Sequence, residues 1–369
     1  MQQKVKFVNK DQTDFFKVLK ERVNEYFTEN NISQHANAKM IFKTVFMLAL
    51  YFVPYALMIT GVATGIYFWA CWALIGFGLA GIGMSIMHDA NHGAYSSNKR
   101  VNHIVGLILN VVGGDASNWK MQHNILHHTY TNVHGHDEDI NNRVGMRFSP
   151  RGEYKKSQRY QVVFAFGLYS LLTLFWCTTK DFIQYARFTK VGHYKETRSQ
   201  KIKTITTMII YKIIHLGYII VLPIILLPLP WWHVMLGYLL MHIIGGLVLS
   251  IVFQLAHVVE NTQFPVPNKD GNIENEWAIH QLQTTTDFSA KNPILTFYVG
   301  GLNFQAIHHL FPRICHVHYP KLRPIVAKTA QEFGVPYLYF PSFRQAFVSH
   351  VKMLKTLGRK EIVHMAAEM

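Results

Sequence analysis

The sequence predicts an all-α integral membrane protein, with four transmembrane helices in two hairpins and a cytosolic helical cap. Three observations predict it: two long runs without a formal charge, basic residues confined to the segments around those runs, and histidines gathered where the runs end. Half of the 369 residues are apolar and only 15% are charged, a balance that leans toward a membrane protein. Three scattered cysteines, Cys71, Cys177 and Cys315, exclude a disulfide scaffold and a Cys-rich zinc domain. The net charge of +15 fits a membrane surface better than nucleic acid, because it is not gathered on one face of a soluble domain.

In chain order, residues 1–38 form a polar lead-in that is cytosolic or interfacial. Within it, Phe15, Phe16, Leu19, Val23 and Tyr26 fall near one helical face, which reads as a helix lying on the membrane or on the cytosolic domain. Lys4, Lys6 and Lys10 precede any apolar run and the first such run is too long to be cleaved, so no signal peptide is expected. Residues 39–320 form the membrane domain together with its metal site. Thr44 to Met87 contains no formal charge over 44 residues, enough for spans at about 44–61 and 65–90 with Ile59-Thr60-Gly61 as the turn. Ile213 to Val259 is a second such run of 47 residues, broken by Pro228, Pro230 and the interfacial pair Trp231-Trp232. It gives spans at about 208–228 and 232–257.

The 36 basic residues divide as 8 up to Lys43, 17 from Lys99 to Lys212 and 11 from Lys269 onward, all on one side of this topology. That side is expected to be cytoplasmic and to hold both termini and the site. Val162 to Thr179 is also charge-free over 18 residues, but crossing there would translocate the eight basic residues from Lys180 to Lys212, so it reads as an interfacial or buried helix. Residues 321–369 form a helical C-terminal cap, with Val326 to Phe333 stopped by Gly334 and Phe343 to Leu357 stopped by Gly358. Gly76-Phe77-Gly78-Leu79-Ala80-Gly81 matches a dinucleotide-binding pattern but lies inside a span. Close helix packing, with Gly76/Ala80 and Gly81/Ser85 at small-xxx-small spacing, explains it better.

Four histidine groups stand at the cytoplasmic boundary. His88 and His92 follow the first run at i and i+4 on a continuing helix, and His123, His127 and His128 repeat that spacing with an extra neighbour. His257 closes the second run, and His308-His309 follows Gln305. Imidazole is the commonest neutral metal ligand, and eight are too many for one four-coordinate ion, so the count points to a pair of metals. Nitrogen-rich ligation with open positions suits iron that binds dioxygen, while zinc, copper and manganese stay open by ligand type. Gln305, His280 and His316 are candidates for a ninth ligand or an orienting role, as is His318. Asp89, Asn91, Asp137 and Asp139 are candidates to fix an imidazole tautomer. His134 and His136 read as loop residues beside them. His242 reads as a hydrogen bond across helices within a span.

These motifs resemble the membrane-bound fatty acid desaturases, whose hallmark is three histidine boxes around two irons. His88 to His92 resembles the first box, His123 to His128 the second and Gln305 to His309 the third, and the likeness runs from about residue 40 to 320. The glutamine opening the third box is similar to the front-end subgroup, as are Thr129-Tyr130-Thr131-Asn132, Trp277 to Phe288 and Leu310-Phe311-Pro312. The resemblance implies two non-haem ferrous ions and dioxygen as co-substrate. It also implies a fatty acyl substrate, as acyl-CoA or membrane lipid, and a cis double bond as product. The chain has no His-Pro-Gly-Gly haem motif, so a separate donor of ferredoxin or cytochrome b5 type, with its reductase, is expected. Phe253 stands where stearoyl-type relatives carry a metal-assisting Asn.

Arg143, Arg147, Arg151, Lys155 and Lys156 form the densest basic cluster, by default a solvated face, with anionic lipid or an acidic carrier as the partner it would suit. The rival readings are a di-iron hydroxylase or carotenoid ketolase on the same scaffold, and a non-enzymatic haem or metal membrane protein. The spans offer a transporter only His242 and His215 and no acid.

Overall fold

The computed structural model describes residues 5–141 and 145–360, so Arg143 lies outside the described residues. Among these, four helices are long and apolar enough to cross a membrane: Ala38–Ile59, Ile66–His92, Arg198–Leu226 and Trp231–His257. At 1.5 Å per residue even the shortest is about 33 Å long, enough for the hydrocarbon core. The first turn falls as expected, with the helix ending at Ile59 and Gly61 at φ +74°, a left-handed conformation that glycine adopts without a Cβ clash. The second break leaves Pro228 and Pro230 between Leu226 and Trp231.

The third apolar helix starts at Arg198, earlier than the charge-free run implied. A capping box explains this: Gln200 N–H donates to Thr197 Oγ1 at 3.3 Å and Thr197 N–H to Gln200 Oε1 at 2.8 Å. Lys212 therefore lies within the helix and is buried, which removes it from the surface charges expected to set topology. Its ammonium donates to Asp181 Oδ2 at 2.8 Å, Gly113 O at 3.0 Å and Trp176 O at 3.1 Å, so all three protons are satisfied. The Val162 to Thr179 stretch falls on Lys156–Ser170 and Leu172–Val191, which are bent by 54° at Leu171. Together they are long and apolar enough for a broken span or a re-entrant loop.

The chain divides into two compact units: one from the described residues of Met1–Asn37, Gln122–Phe166 and Ile251–Met369, the other from Ala38–Met121 and Gly167–Ser250. In the second unit, small residues bring helices together at Gly76, as expected, and also at Gly78. A Cβ at Gly78 would stand 2.8 Å from Tyr51 N, and one at Gly76 2.7 Å from Met241 O, so both glycines touch backbone that cannot swing away. The apolar side chains Phe42, Val45, Val53, Ile210, Ile213 and Ile225 remain exposed, as lipid-facing residues would.

The first unit is built on a core in which Phe15, Leu19, Val23 and Phe27 pack with Ala278, Leu282, Ala306, Ile307, Leu310, Leu322 and Val326. The N-terminal helix Phe15–Glu29 thus packs on this unit through its apolar face. Each large apolar side chain enclosed this way contributes about 2 kcal/mol. The helix start is capped from far along the chain, Phe16 N–H donating to Glu276 Oε1 at 3.0 Å. The C-terminal helices run Tyr319–Glu332, earlier in its start than expected, and Phe343–Leu357. Two short parallel strand pairs, Lys6–Phe7 with Asn272–Ile273 and Asp287–Phe288 with Tyr339–Phe340, tie distant segments together. Arg147 departs from the solvated reading of its cluster: it is buried, with its guanidinium donating to the Leu357, Arg359 and Pro150 carbonyls. It satisfies carbonyls that the end of helix Phe343–Leu357 leaves open.

Candidate metal centre

In the second histidine group, His123 and His127 lie on a wide turn of helix, Lys120–His127, with i→i+5 hydrogen bonding, and His128 opens the α-helical turn that follows, His128–Tyr130. The His127 and His128 rings both stand near that of His123, with centroids 5.2 and 4.8 Å away. The third group sits on Gln305–Leu310, where Ala306, Ile307 and Leu310 face the core and hold His308 and His309 in place. His257 closes the helix Trp231–His257.

These side chains meet within the first unit, all of them buried. His128 Nε2 lies 3.3 Å from His123 Nε2 and 3.0 Å from His308 Nε2. The ligand atoms of His127, His257 and His309 lie within 4.8 Å of one another, as do those of His128, His308 and His309. Four nitrogens at about 2.05 Å from one ion stand about 3.3 Å apart, so this spacing suits a shared metal.

The ring nitrogens away from the centre are held by partners. His127 Nδ1–H donates to Asp137 at 3.1 Å, with Asp139 Oδ2 at 3.5 Å, and its Nε2 is buried without a hydrogen-bond partner. His309 Nδ1–H donates to Gln281 Oε1 at 2.8 Å, and His257 Nδ1–H to Thr284 O at 3.4 Å. Each such bond fixes the tautomer that leaves the Nε2 lone pair available, the arrangement metal-binding imidazoles need. Burial disfavours a charged His127, but the Asp137 carboxylate, its hydrogen bond and Asp139 outweigh this and hold the imidazole above its usual pKa. The same basicity strengthens it as a ligand. The orphaned Nε2 of His127, the converging nitrogens and the absence of thiolate from these donors fit imidazole-bound iron.

Gln305 Nε2 lies 2.9 Å from His257 Nε2 and 3.3 Å from His309 Nε2, at the centre itself. Asp137 also accepts the Asn132 and Asp139 backbone N–H groups, and Asp139 accepts from Gln122. Phe253 packs against the His127 and His257 rings at 5.1 and 4.9 Å, making that side apolar. His280 is buried edge-on to Phe7, and burial pulls its pKa down to about 4. His316 stands beside Gly301, and His318 donates to the His35 carbonyl at 3.1 Å. His136 packs on Tyr130, and burial lowers the pKa of His134, with Arg147 and His136 adding to the effect.

His88 and His92 belong to the other compact unit, on the continuing helix the spacing predicted, with ring centroids 4.7 Å apart and each 5.5 Å from Trp119. Gly93 at φ +78° ends that helix immediately after His92. Asp89 lies 3.9 Å from His88 Nδ1, whereas Asn91 donates to the Gly106 carbonyl at 3.3 Å.

Sequence reading missed Gln281, whose Nε2 donates to the His128 carbonyl at 3.2 Å while its Oε1 receives His309. It also missed Thr131, with Oγ1 2.8 Å from both His127 O and Gln281 Oε1, and Asn132, whose amide reaches the His257 and Gln263 carbonyls at 3.1 Å. Their signal was their position: Thr131 and Asn132 directly follow the second box, and Gln281 is one helical turn beyond Trp277, which donates to the same His128 carbonyl at 3.2 Å.

A fatty acid desaturase family model matches residues 63–341. Over 345 residues the chain is 38% identical to the sn-1 linoleoyl-lipid 6-desaturase of Arthrospira platensis, covering 93% of this chain and 92% of that one. It is 35% identical over 362 residues to the protein of the same name from Synechocystis, covering 97% and 98%. An acyl-lipid (8-3)-desaturase of Physcomitrium patens is 35% identical over 368 residues, covering 97% of this chain and 74% of the relative.

Proposed function

The chain belongs to the fatty acid desaturase family, and from that premise we propose that it is a front-end desaturase of lipid-bound linoleoyl-type chains. It inserts a cis double bond between an existing one and the carboxyl end. The observation that carries the site assignment is the convergence of His123, His127, His128, His257, His308 and His309, with their outer nitrogens held by Asp137, Thr284 and Gln281. His88 and His92 join the ligand set on the strength of their motif.

Two ferrous ions bound by these imidazoles would supply the dioxygen activation that an unactivated methylene requires, which no side chain can supply alone. In balance, two hydrogens leave the acyl chain, an external donor gives two electrons, two protons are taken up, and dioxygen becomes two waters. The protein's part is to keep the ligands neutral and fixed. Asp137 retains the Nδ1 proton of His127, and Gln281 retains that of His309 while gripping the His128 backbone. Phe253 closes one side of the centre to water, and Gln305 lies close enough for its amide oxygen to serve as a further ligand after rotation. The site and both termini face the cytoplasm, where a ferredoxin or cytochrome b5 with its reductase delivers electrons.

The test is fatty acid analysis by mass spectrometry in a host that supplies such a donor and is fed linoleate. A trienoic acid with the added double bond on the carboxyl side is expected. A hydroxylated product, or a double bond on the methyl side, would overturn the proposal.

A further inference from the structure

A second cluster of ligating side chains lies in the unit formed by Ala38–Met121 and Gly167–Ser250, and the function above makes no use of it. Cys177, His215 and His242 come from three different helical segments, are all buried, and place one sulfur and two nitrogens within 4.8 Å of one another.

The hydrogen bonds decide which nitrogens are available. His215 Nδ1–H has the Val111 carbonyl and Tyr218 Oη as partners, each at 3.2 Å, and its Nε2 has none. The Thr173 hydroxyl donates to the His242 carbonyl at 3.1 Å, so its oxygen accepts His242 Nδ1–H at 2.9 Å, and again Nε2 is left without a partner. Two fully buried imidazoles thus hold their lone pairs unsatisfied beside a thiol, a costly arrangement unless something binds there. The Tyr238 hydroxyl, on a ring 4.4 Å from that of His242, is also without a partner. Gly113 borders the cluster at φ +97°, where a Cβ would come within 2.5 Å of Cys177 Sγ and 3.0 Å of His215 Nε2, so a side chain there would fill the space.

We propose that Cys177, His215 and His242 bind one soft transition-metal ion, cuprous copper, as a structural clasp between helices. Two imidazoles and a thiolate form a set that soft metals favour, and three ligands suit cuprous copper better than zinc, which takes four in structural sites. Charge decides between the two ions as well. The neighbouring Lys212 and Asp181 cancel each other, so a cuprous thiolate adds no net charge to the buried site, whereas zinc would leave one positive charge there. On binding, the thiol proton now directed at the Val112 carbonyl is released as the copper–sulfur bond forms, and both imidazoles stay neutral.

The experiment uses the purified, iron-loaded protein in detergent, exposed to cuprous ion and then to a competing cuprous chelator. Metal analysis should find one copper per chain, and X-ray absorption should show a single sulfur neighbour beside nitrogen neighbours. Cys177→Ser and His242→Gln should each lose the copper while keeping their iron, which shows that they remain folded. No retained copper, as for a site holding only water, would overturn the proposal. So would retention unchanged in both variants, or nitrogen-only scattering from copper lodged in the histidine centre.

Discussion

Asp137 is the residue on which the tautomer of His127 rests, since both its carboxylate oxygens lie 3.1 Å from the imidazole Nδ1. Asp137→Asn keeps the shape but offers an amide where a carboxylate was needed. Iron affinity or desaturase activity should fall about 10- to 100-fold, read by metal analysis and product formation on protein that still elutes as a folded species. Gln281→Ala removes the acceptor of His309 and a donor to the His128 carbonyl together, and should cost a similar factor. Unchanged activity in either variant would show that the outer hydrogen bonds are dispensable. His127→Ala deletes a ligand outright and should abolish product while iron content drops.

At the scale of elements, the packing of the second apolar helix depends on where each glycine's missing Cβ would point. Gly78→Ala drives a methyl group against the Tyr51 backbone, while at Gly83 the nearest atoms are the mobile tip of Leu249 at 3.3 Å. Gly78→Ala should therefore destabilise by about 1–3 kcal/mol, and Gly83→Ala by much less. Thermal unfolding of the two variants in the same detergent checks the order. The helices themselves were legible in sequence because charge-free runs and one-sided apolar patterns are local properties, as Phe15 to Phe27 and Phe343 to Leu357 illustrate. The wide turn at Lys120–His127 was not, because i→i+5 bonding leaves no separate mark in residue spacing, although it carries His123 and His127. Nor was the start of the third apolar helix, which a capping box places among basic residues that a charge count assigns to a loop.

For the molecule as a whole, pH should act through buried groups outside the four long apolar helices. Burial pulls His280 and His350 down to about 4, with His350 Nδ1–H donating to the Val258 carbonyl at 2.7 Å. Unfolded, each titrates near 6.5, so each contributes stability above that pH that is lost as pH falls toward 4, up to about 3 kcal/mol apiece. Burial acts oppositely on Asp287, raising it to about 6 against the bonds it makes with Tyr337, Ala306 and Arg323. Its contribution is fully present below about 4 and is lost as pH rises through 6, again about 3 kcal/mol. Two histidines against one carboxyl make the unit acid-labile, so its melting temperature should fall steadily from pH 6.5 to 4. His350→Gln should flatten that slope, and a slope unchanged by the substitution would remove His350 as a cause.

The class of the protein is legible in its sequence, because a bilayer and a metal each demand residue types in amounts that composition and spacing cannot hide. Long uncharged runs, basic flanks and paired histidines are such demands, and together they carried the family resemblance. Which nitrogen of each imidazole is available, the bracing of the centre by Gln281, Thr131 and Asn132, and the burial of Arg147 and Lys212 emerge only from the folded chain. Those are matters of which carbonyl or carboxylate lies about 3 Å away, and such partners come from segments tens to hundreds of residues apart. The grouping of Cys177, His215 and His242 is of the same kind: three unremarkable residues in sequence become a donor set once folding brings their helices together.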